Sequence, residues 1–120
     1  MSCLFNSFSA LIKEPPQSIR LRICDWLSGD PALMDDLSGS VVIMIESGKG
    51  LADYVTRMRS PSTWGGAIEI RAFVKLWKRP VRVWAIRTRR WIEFPYDGPA
   101  SDAGPECRIS WTGGHYEPMR

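Results

Sequence analysis

Cys3 and His115 stand near opposite ends of the sequence, in "CLFNSFSALI" and "GGHYEPM". A cysteine and a histidine can together run acyl transfer: the thiolate attacks a carbonyl and the imidazole carries the proton. A thiolate is favoured at the N-terminus of a helix, where unpaired N–H groups and the helix dipole stabilise negative charge, and a nearby imidazolium adds to this. Cys3 lies where a helix is expected to begin. His115 is the only histidine in the chain, so any Cys/His chemistry must use it. Gly113 and Gly114 before it let the backbone turn sharply and leave the ring open on one side. Glu117 follows two residues later, and on an extended strand residues two apart point to the same side. Its carboxylate can then accept from the second ring nitrogen and fix the tautomer, as the third member of a triad does. Spacing alone leaves a blander reading open, in which Cys3 is a small packed hydrophobe and His115 a polar loop residue.

The elements between these two residues must bring them together. Leu4, Phe8, Leu11 and Ile12 recur at helical spacing and predict a helix over 3–12, stopped by Pro15 and Pro16. Ser18 is placed to cap a second helix whose apolar face is Ile19, Ile23, Trp26 and Leu27. Residues 32–37 read as a short turn of helix. The run Val41 to Ile45 is β-rich and fits either a short buried strand or a helix. Residues 50–59 read as a helix, "SPSTWGG" as a loop, and 67–77 as a central helix that is apolar nearly all round. Strands are predicted over 81–86 and 90–94, joined by a turn at Arg87 to Arg89. After a Pro/Gly-rich loop, a strand over 107–111, a turn at "TGG" and a last extended piece opened by His115 complete the chain. Helices come first and strands last, which predicts an α+β domain with helices packed on a small, mainly antiparallel sheet.

Composition bounds the function classes. A chain of 120 residues that is 44% hydrophobic and 24% charged is expected to form one domain, residues 1–120, burying about two-thirds of its unfolded surface. No apolar run reaches the ~20 residues of a membrane-spanning helix. The first twelve residues lack the charged start and cleavage site of a signal peptide. Cys3, Cys24 and Cys107 cannot all pair, and no CxxC spacing suggests zinc, so free thiols in the cytoplasm are expected, with no metal and no cofactor. The net charge is +3, and much of the basic excess falls between Arg57 and Arg90. Such a stretch can touch RNA or an anionic surface. Solvated helix and strand faces are the expectation here, with no nucleic-acid partner. The six tryptophans are expected mostly in core or rim packing and not as base-stacking platforms. "SGKG" lacks the spacing of a phosphate-binding loop.

Three segments carry a resemblance. "SCLFNSFSAL" resembles the nucleophile segment of the ovarian-tumour (OTU) family of cysteine proteases, Asp-Gly-Asn-Cys-Leu-Phe followed by a helix. "TWGGAIEIRAFVKLWKRPVRVW" is similar to that family's middle segment, a Trp-Gly-Gly turn, a helix bearing Glu and Ala, and a strand. "ISWTGGHYEPM" resembles its end, where a strand and short loop deliver His-Tyr-Asp or His-Tyr-Asn. The segments stand in the family's order and span essentially the whole chain.

The resemblance implies a compact, papain-like cysteine protease fold. It makes Cys3 the nucleophile, His115 the general base and Glu117 the orienting residue. It puts Trp64, Gly65 and Gly114 beside the substrate, with Trp64 as one wall of a narrow groove, and gives Glu69 and Ala72 structural positions. It implies a protease or deubiquitinase acting on ubiquitin or a ubiquitin-like modifier. The short domain and divergent motifs look viral, which adds polyprotein processing in a host cytoplasm. Two departures stand out. Only Met1 and Ser2 precede Cys3, so the family's Asp three residues upstream has no counterpart. That loop normally completes the oxyanion hole, where one donor is worth ~10²–10³ in rate. Glu117 is one methylene longer than Asp. The alternative reading is a catalytically impaired module that binds a protein partner or RNA through the arginine-rich stretch.

Overall fold

The computed structural model describes residues 3–119. Helix α1 (Cys3–Ile12) matches the apolar spacing, with Leu4, Phe5 and Phe8 buried. Helix α2 (Pro16–Ser28) begins three residues earlier than a cap at Ser18 would set. Ser18 is not its cap: Pro15 flanks the helix and Pro16 opens it, since proline's fixed φ suits a first turn whose N–H groups lack partners anyway.

The residues expected as a helical turn near 32–37 form a hairpin instead. Strand β1 (Ala32–Met34) pairs antiparallel with β2 (Leu37–Ser38), and Met34 faces Leu37 across a two-residue turn. Asp35 and Asp36 fill that turn at φ 46° and 63°. Two successive positive φ values are what a tight hairpin turn demands, and aspartate tolerates them better than bulkier side chains. The β-rich run that follows is helical, within α3 (Gly39–Ser47). Asp30 sets its start by accepting from the Ser40 N–H at 2.7 Å, and Gly48 closes it in the left-handed conformation at φ 73°. Caps at both ends thus override the local strand preference.

Helices α4 (Leu51–Met58) and α5 (Ala67–Trp77) lie where expected. Helix α5 is the centre of the molecule, with Ile68, Glu69, Ile70, Ala72, Phe73 and Val74 all buried. The Phe73 ring stacks on Phe8 of α1 at 3.9 Å between centroids and on Trp77 at 5.0 Å.

Strands β3 (Val81–Ala85), β4 (Arg90–Phe94), β5 (Cys107–Trp111) and β6 (Tyr116–Met119) form one sheet in the order β4-β3-β5-β6. A single turn of 3₁₀ helix, Ala100–Asp102, lies in the loop after β4. Both outer pairings are antiparallel and the central one, β3 with β5, is parallel. Val81, Val83 and Ala85 alternate inward with Cys107 and Ile109 of β5, the period of two that buries one face of a strand. Helix α1 packs along β6 at the sheet edge, and through that contact the first and last elements meet.

Among the described residues, five of the ten basic residues from Arg57 to Arg90 form ion pairs, Arg57 with Asp53 and Arg59 with Asp25 among them. Arg71 pairs with Glu46 at 3.0 Å, Lys75 with Asp97 at 3.0 Å and Arg82 with Glu93 at 3.4 Å. Among the described residues no helix is long and apolar enough to cross a membrane.

Candidate active site

Cys3 is the first residue of α1 and is partly exposed. The side chains of Leu4 and Phe5 behind it are wholly buried and fix the start of the helix. The Ser7 hydroxyl donates to the Cys3 carbonyl at 2.8 Å. The other two cysteines are buried, and burial pushes the Cys24 thiol up to about 11 and the Cys107 thiol upward as well. Neither suits a nucleophile, because the thiolate is the reactive form. Met1 and Ser2, the residues before Cys3 on which the oxyanion-hole expectation rests, lie outside the described residues.

His115 sits between the Thr112–Gly114 turn and β6. The Thr112 N–H donates to the His115 carbonyl at 3.0 Å, and Gly113 turns the chain at φ 102°, a value that favours glycine. The His115 Nε2 lies 3.4 Å from Glu117 Oε1, so the two side chains do share one side of the extended segment. Both are more than half exposed. At that distance and in water the carboxylate steers the ring without clamping it. Tyr116 between them is pushed up to about 12, chiefly by burial and then by the negative charge available at Cys3 and Glu69. Helix α1, which begins at Cys3, packs along β6, the strand that follows His115 and contains Glu117.

Trp64, Gly65 and Gly66 run along the same side. Trp64 is 55% exposed, the exposed one of the six tryptophans, and so stands outside the core. Its ring carbon Cζ3 lies 4.0 Å from where a β-carbon on Gly114 would be. A β-carbon on Gly65 would sit 2.8 Å from Leu4 Cδ2 and 3.0 Å from Phe5 Cε2. Only a residue without a side chain lets this backbone press so closely on α1 beside Cys3. The structure thus brings Trp64 to Gly114, and Gly65 to the start of α1.

Two buried charges went unassigned as site residues. Glu69 is 1% exposed; Oε1 accepts from the Gly66 N–H at 2.7 Å and Oε2 from the Tyr54 hydroxyl at 2.6 Å. Burial pushes its carboxyl up to about 7 against the opposing pull of these bonds and of Arg20. Arg20 is fully buried, and its pKa is lowered by that burial. Its Nη1 donates to the Met58 carbonyl at 2.8 Å, and its guanidinium lies 4.3 Å above the Phe5 ring. The sequence does hold a sign of this. Arg20, Ile23, Cys24 and Leu27 share helical spacing, so Arg20 stands on the apolar face of α2 where a charge is out of place. A cavity of about 490 Å³ opens between the end of α3, α4 and the Trp64 loop, with Glu69 and Tyr54 in its wall.

No family model and no curated protein matches the sequence. Solved structures do. An ovarian-tumour domain in complex with ubiquitin superposes with a TM-score of 0.76 at 22% identity, over 98% of this chain and 62% of that one. The OTUD1 OTU domain gives 0.71 at 14% identity over 98% and 77%. The viral OTU domain protease from Dera Ghazi Khan virus gives 0.66 at 18% identity over 99% and 76%. This chain spans about 62% of the length of the ubiquitin-bound relative, so it lacks matches to more than a third of that molecule. The α+β architecture described above, with α1 packed on β6 at the sheet edge, is an OTU-like fold.

Proposed function

We propose that this chain is a thiol hydrolase of the OTU type that cleaves the peptide or isopeptide bond after the C-terminal tail of ubiquitin or a ubiquitin-like modifier. The observation that carries this reading is the packing of α1, which begins at Cys3, along β6, next to which His115 pairs with Glu117. The OTU-like fold supports it, and so does the ubiquitin partner of one structural relative. In this reaction the Cys3 sulfur attacks the carbonyl carbon while His115 takes the thiol proton. The tetrahedral intermediate collapses to a thioester, and His115 returns the proton to the departing amine. Water, deprotonated by His115, then attacks the thioester and releases the carboxylate and the free thiol. Trp64 and Gly65 narrow the approach so that only small residues fit beside the sulfur. Val41, Met44 and Ile45, exposed on one face of α3 beside Met34 and Leu37, offer an apolar surface to the body of a folded modifier. Cleavage within a viral polyprotein would use the same steps.

A ubiquitin probe with an electrophilic C-terminus tests the class directly. Covalent capture that maps to Cys3 by peptide mass spectrometry is expected. An unlabelled protein, or labelling that survives removal of Cys3, would instead favour a binding module.

Glu117→Ala is expected to lower kcat/KM on a ubiquitin–fluorophore conjugate by no more than about tenfold. An exposed ion pair is worth about 0–1 kcal/mol, which converts to a few-fold in rate. A loss approaching that of His115→Ala would show that Glu117 does more than steer the ring.

A further inference from the structure

We propose that Glu69 and Arg20 are positioning residues: two buried charges that hold the two ends of the segment from Met58 to Gly66 and so fix Trp64 and Gly65 against α1 beside Cys3. The inference rests on the reading of that segment as the cleft wall, but the brace itself can be tested without activity.

Arg20 takes the beginning of the segment. Its Nη1 donates to the Met58 carbonyl at 2.8 Å and its Nη2 reaches the Pro61 carbonyl at 3.4 Å. Glu69 takes the end, through the Gly66 N–H at 2.7 Å. Tyr54 fixes the other carboxylate oxygen at 2.6 Å and so sets the direction of the first. Between these anchors Thr63 folds the segment on itself, donating to the Arg57 carbonyl at 2.6 Å. Charges are costly to bury, and replacing both members of a buried charge network together by packed hydrophobes is often nearly neutral. What a hydrophobe at position 20 or 69 could not do is bond the backbone of this segment. Packing supports the segment on one side only, because the cavity of about 490 Å³ lies along the other side of Trp64, Gly65 and Gly66. On the packed side Gly65 is in tight contact with Leu4 and Phe5, and Phe5 carries the Arg20 guanidinium on its ring face. The brace and the first turn of α1 are therefore one connected assembly. A shift of about 1 Å in such a wall can cost ~10²-fold in rate.

Glu69→Ala and Glu69→Gln separate positioning from mere folding. Glutamine keeps a carbonyl oxygen for the Gly66 N–H, and its amide can donate to the Tyr54 oxygen. Hydrogen exchange of the Gly66 amide, read by NMR, should speed up at least tenfold in Glu69→Ala while the Phe73 amide in the same helix keeps its protection. Glutamine should restore most of that protection. With a ubiquitin–fluorophore conjugate, Glu69→Ala should raise KM and lower kcat/KM by ten- to a hundredfold, and Glu69→Gln should recover to within about threefold of the parent. Should the alanine variant fail to fold, Tyr54→Phe, which frees one carboxylate oxygen, should give an intermediate Gly66 exchange rate. Unchanged Gly66 exchange in a folded Glu69 or Tyr54 variant would overturn the proposal, as would equal losses for alanine and glutamine. If the parent protein hydrolyses nothing, the proposed activity fails, and Gly66 exchange still decides the brace.

Discussion

Replacing Cys3 with alanine should lower kcat/KM on a ubiquitin–fluorophore conjugate by at least about 10⁴-fold, the scale on which removing a catalytic nucleophile acts. The same change should move the melting temperature by only a few degrees. Cys3 is a partly exposed side chain at the end of α1, whereas the anchoring of that helix rests on Leu4, Phe5 and Phe8. Rate and stability are therefore cleanly separable at this position. His115→Ala should cost nearly as much, and the double variant should be no worse than either single one, because nucleophile and base act as a unit. Single-turnover kinetics of the three variants check this. Additive losses would mean that Cys3 and His115 contribute independently and that the assignment of a shared proton is wrong.

The second large effect concerns stability. Arg20→Met keeps much of the side-chain volume but removes the buried cation, and should destabilise the fold by roughly 3–5 kcal/mol at pH 8, the usual cost of breaking a buried charge network from one side. Whole domains are held by only about 5–15 kcal/mol, so the variant should sit close to unfolding. The loss should shrink at low pH. Glu69 carries a folded-state value of about 7, above the ordinary value of 4.5, because burial disfavours its charge. A carboxyl shifted in that direction contributes stability that is fully present below about 4.5 and is lost as pH rises through about 7. Arg20 opposes this shift; without it Glu69 must give up its proton at a still higher pH or carry an uncompensated charge. Chemical denaturation at pH 5 and pH 8 reads the difference. An Arg20→Met penalty that is the same at both values would show that Arg20 acts through the Met58 carbonyl and Phe5 alone, without Glu69.

Elements with strong periodicity were legible in the sequence. Leu4, Phe8 and Leu11 marked α1, and the Ile68–Trp77 run marked α5, because many apolar positions agree on one period. What misled was short-range chemistry. "MDDL" was read as helix, yet two aspartates at positive φ make it a hairpin turn. The run Val41 to Ile45 left strand and helix undecided because its β-branched residues favour the strand. The decision came from Asp30, ten residues upstream of Ser40, which no local pattern contains. Within the site, side-by-side placement of His115 and Glu117 followed from strand geometry alone. The contact of Gly65 with Leu4 and Phe5, and the reach of Arg20 to Met58, join residues far apart in sequence, and only the fold reveals them.

The parallel pairing of β3 with β5, and the docking of α1 on β6 beyond it, also govern when the site can exist. Strand β6 completes the sheet edge against which α1 rests. A growing chain emerges at about 5–20 residues per second, so Cys3 leaves the ribosome roughly 6–20 seconds before His115. In that interval the thiol has no imidazole, the edge of β5 is unpaired, and the apolar side of α1 has no β6 to rest on. Contacts between such distant parts of a sequence form slowly, because the loop entropy must be met before the contact is gained. The packing of α1 on β6 thus waits for the last strand of the sheet, and the segment that follows Cys3 stays without that support until then.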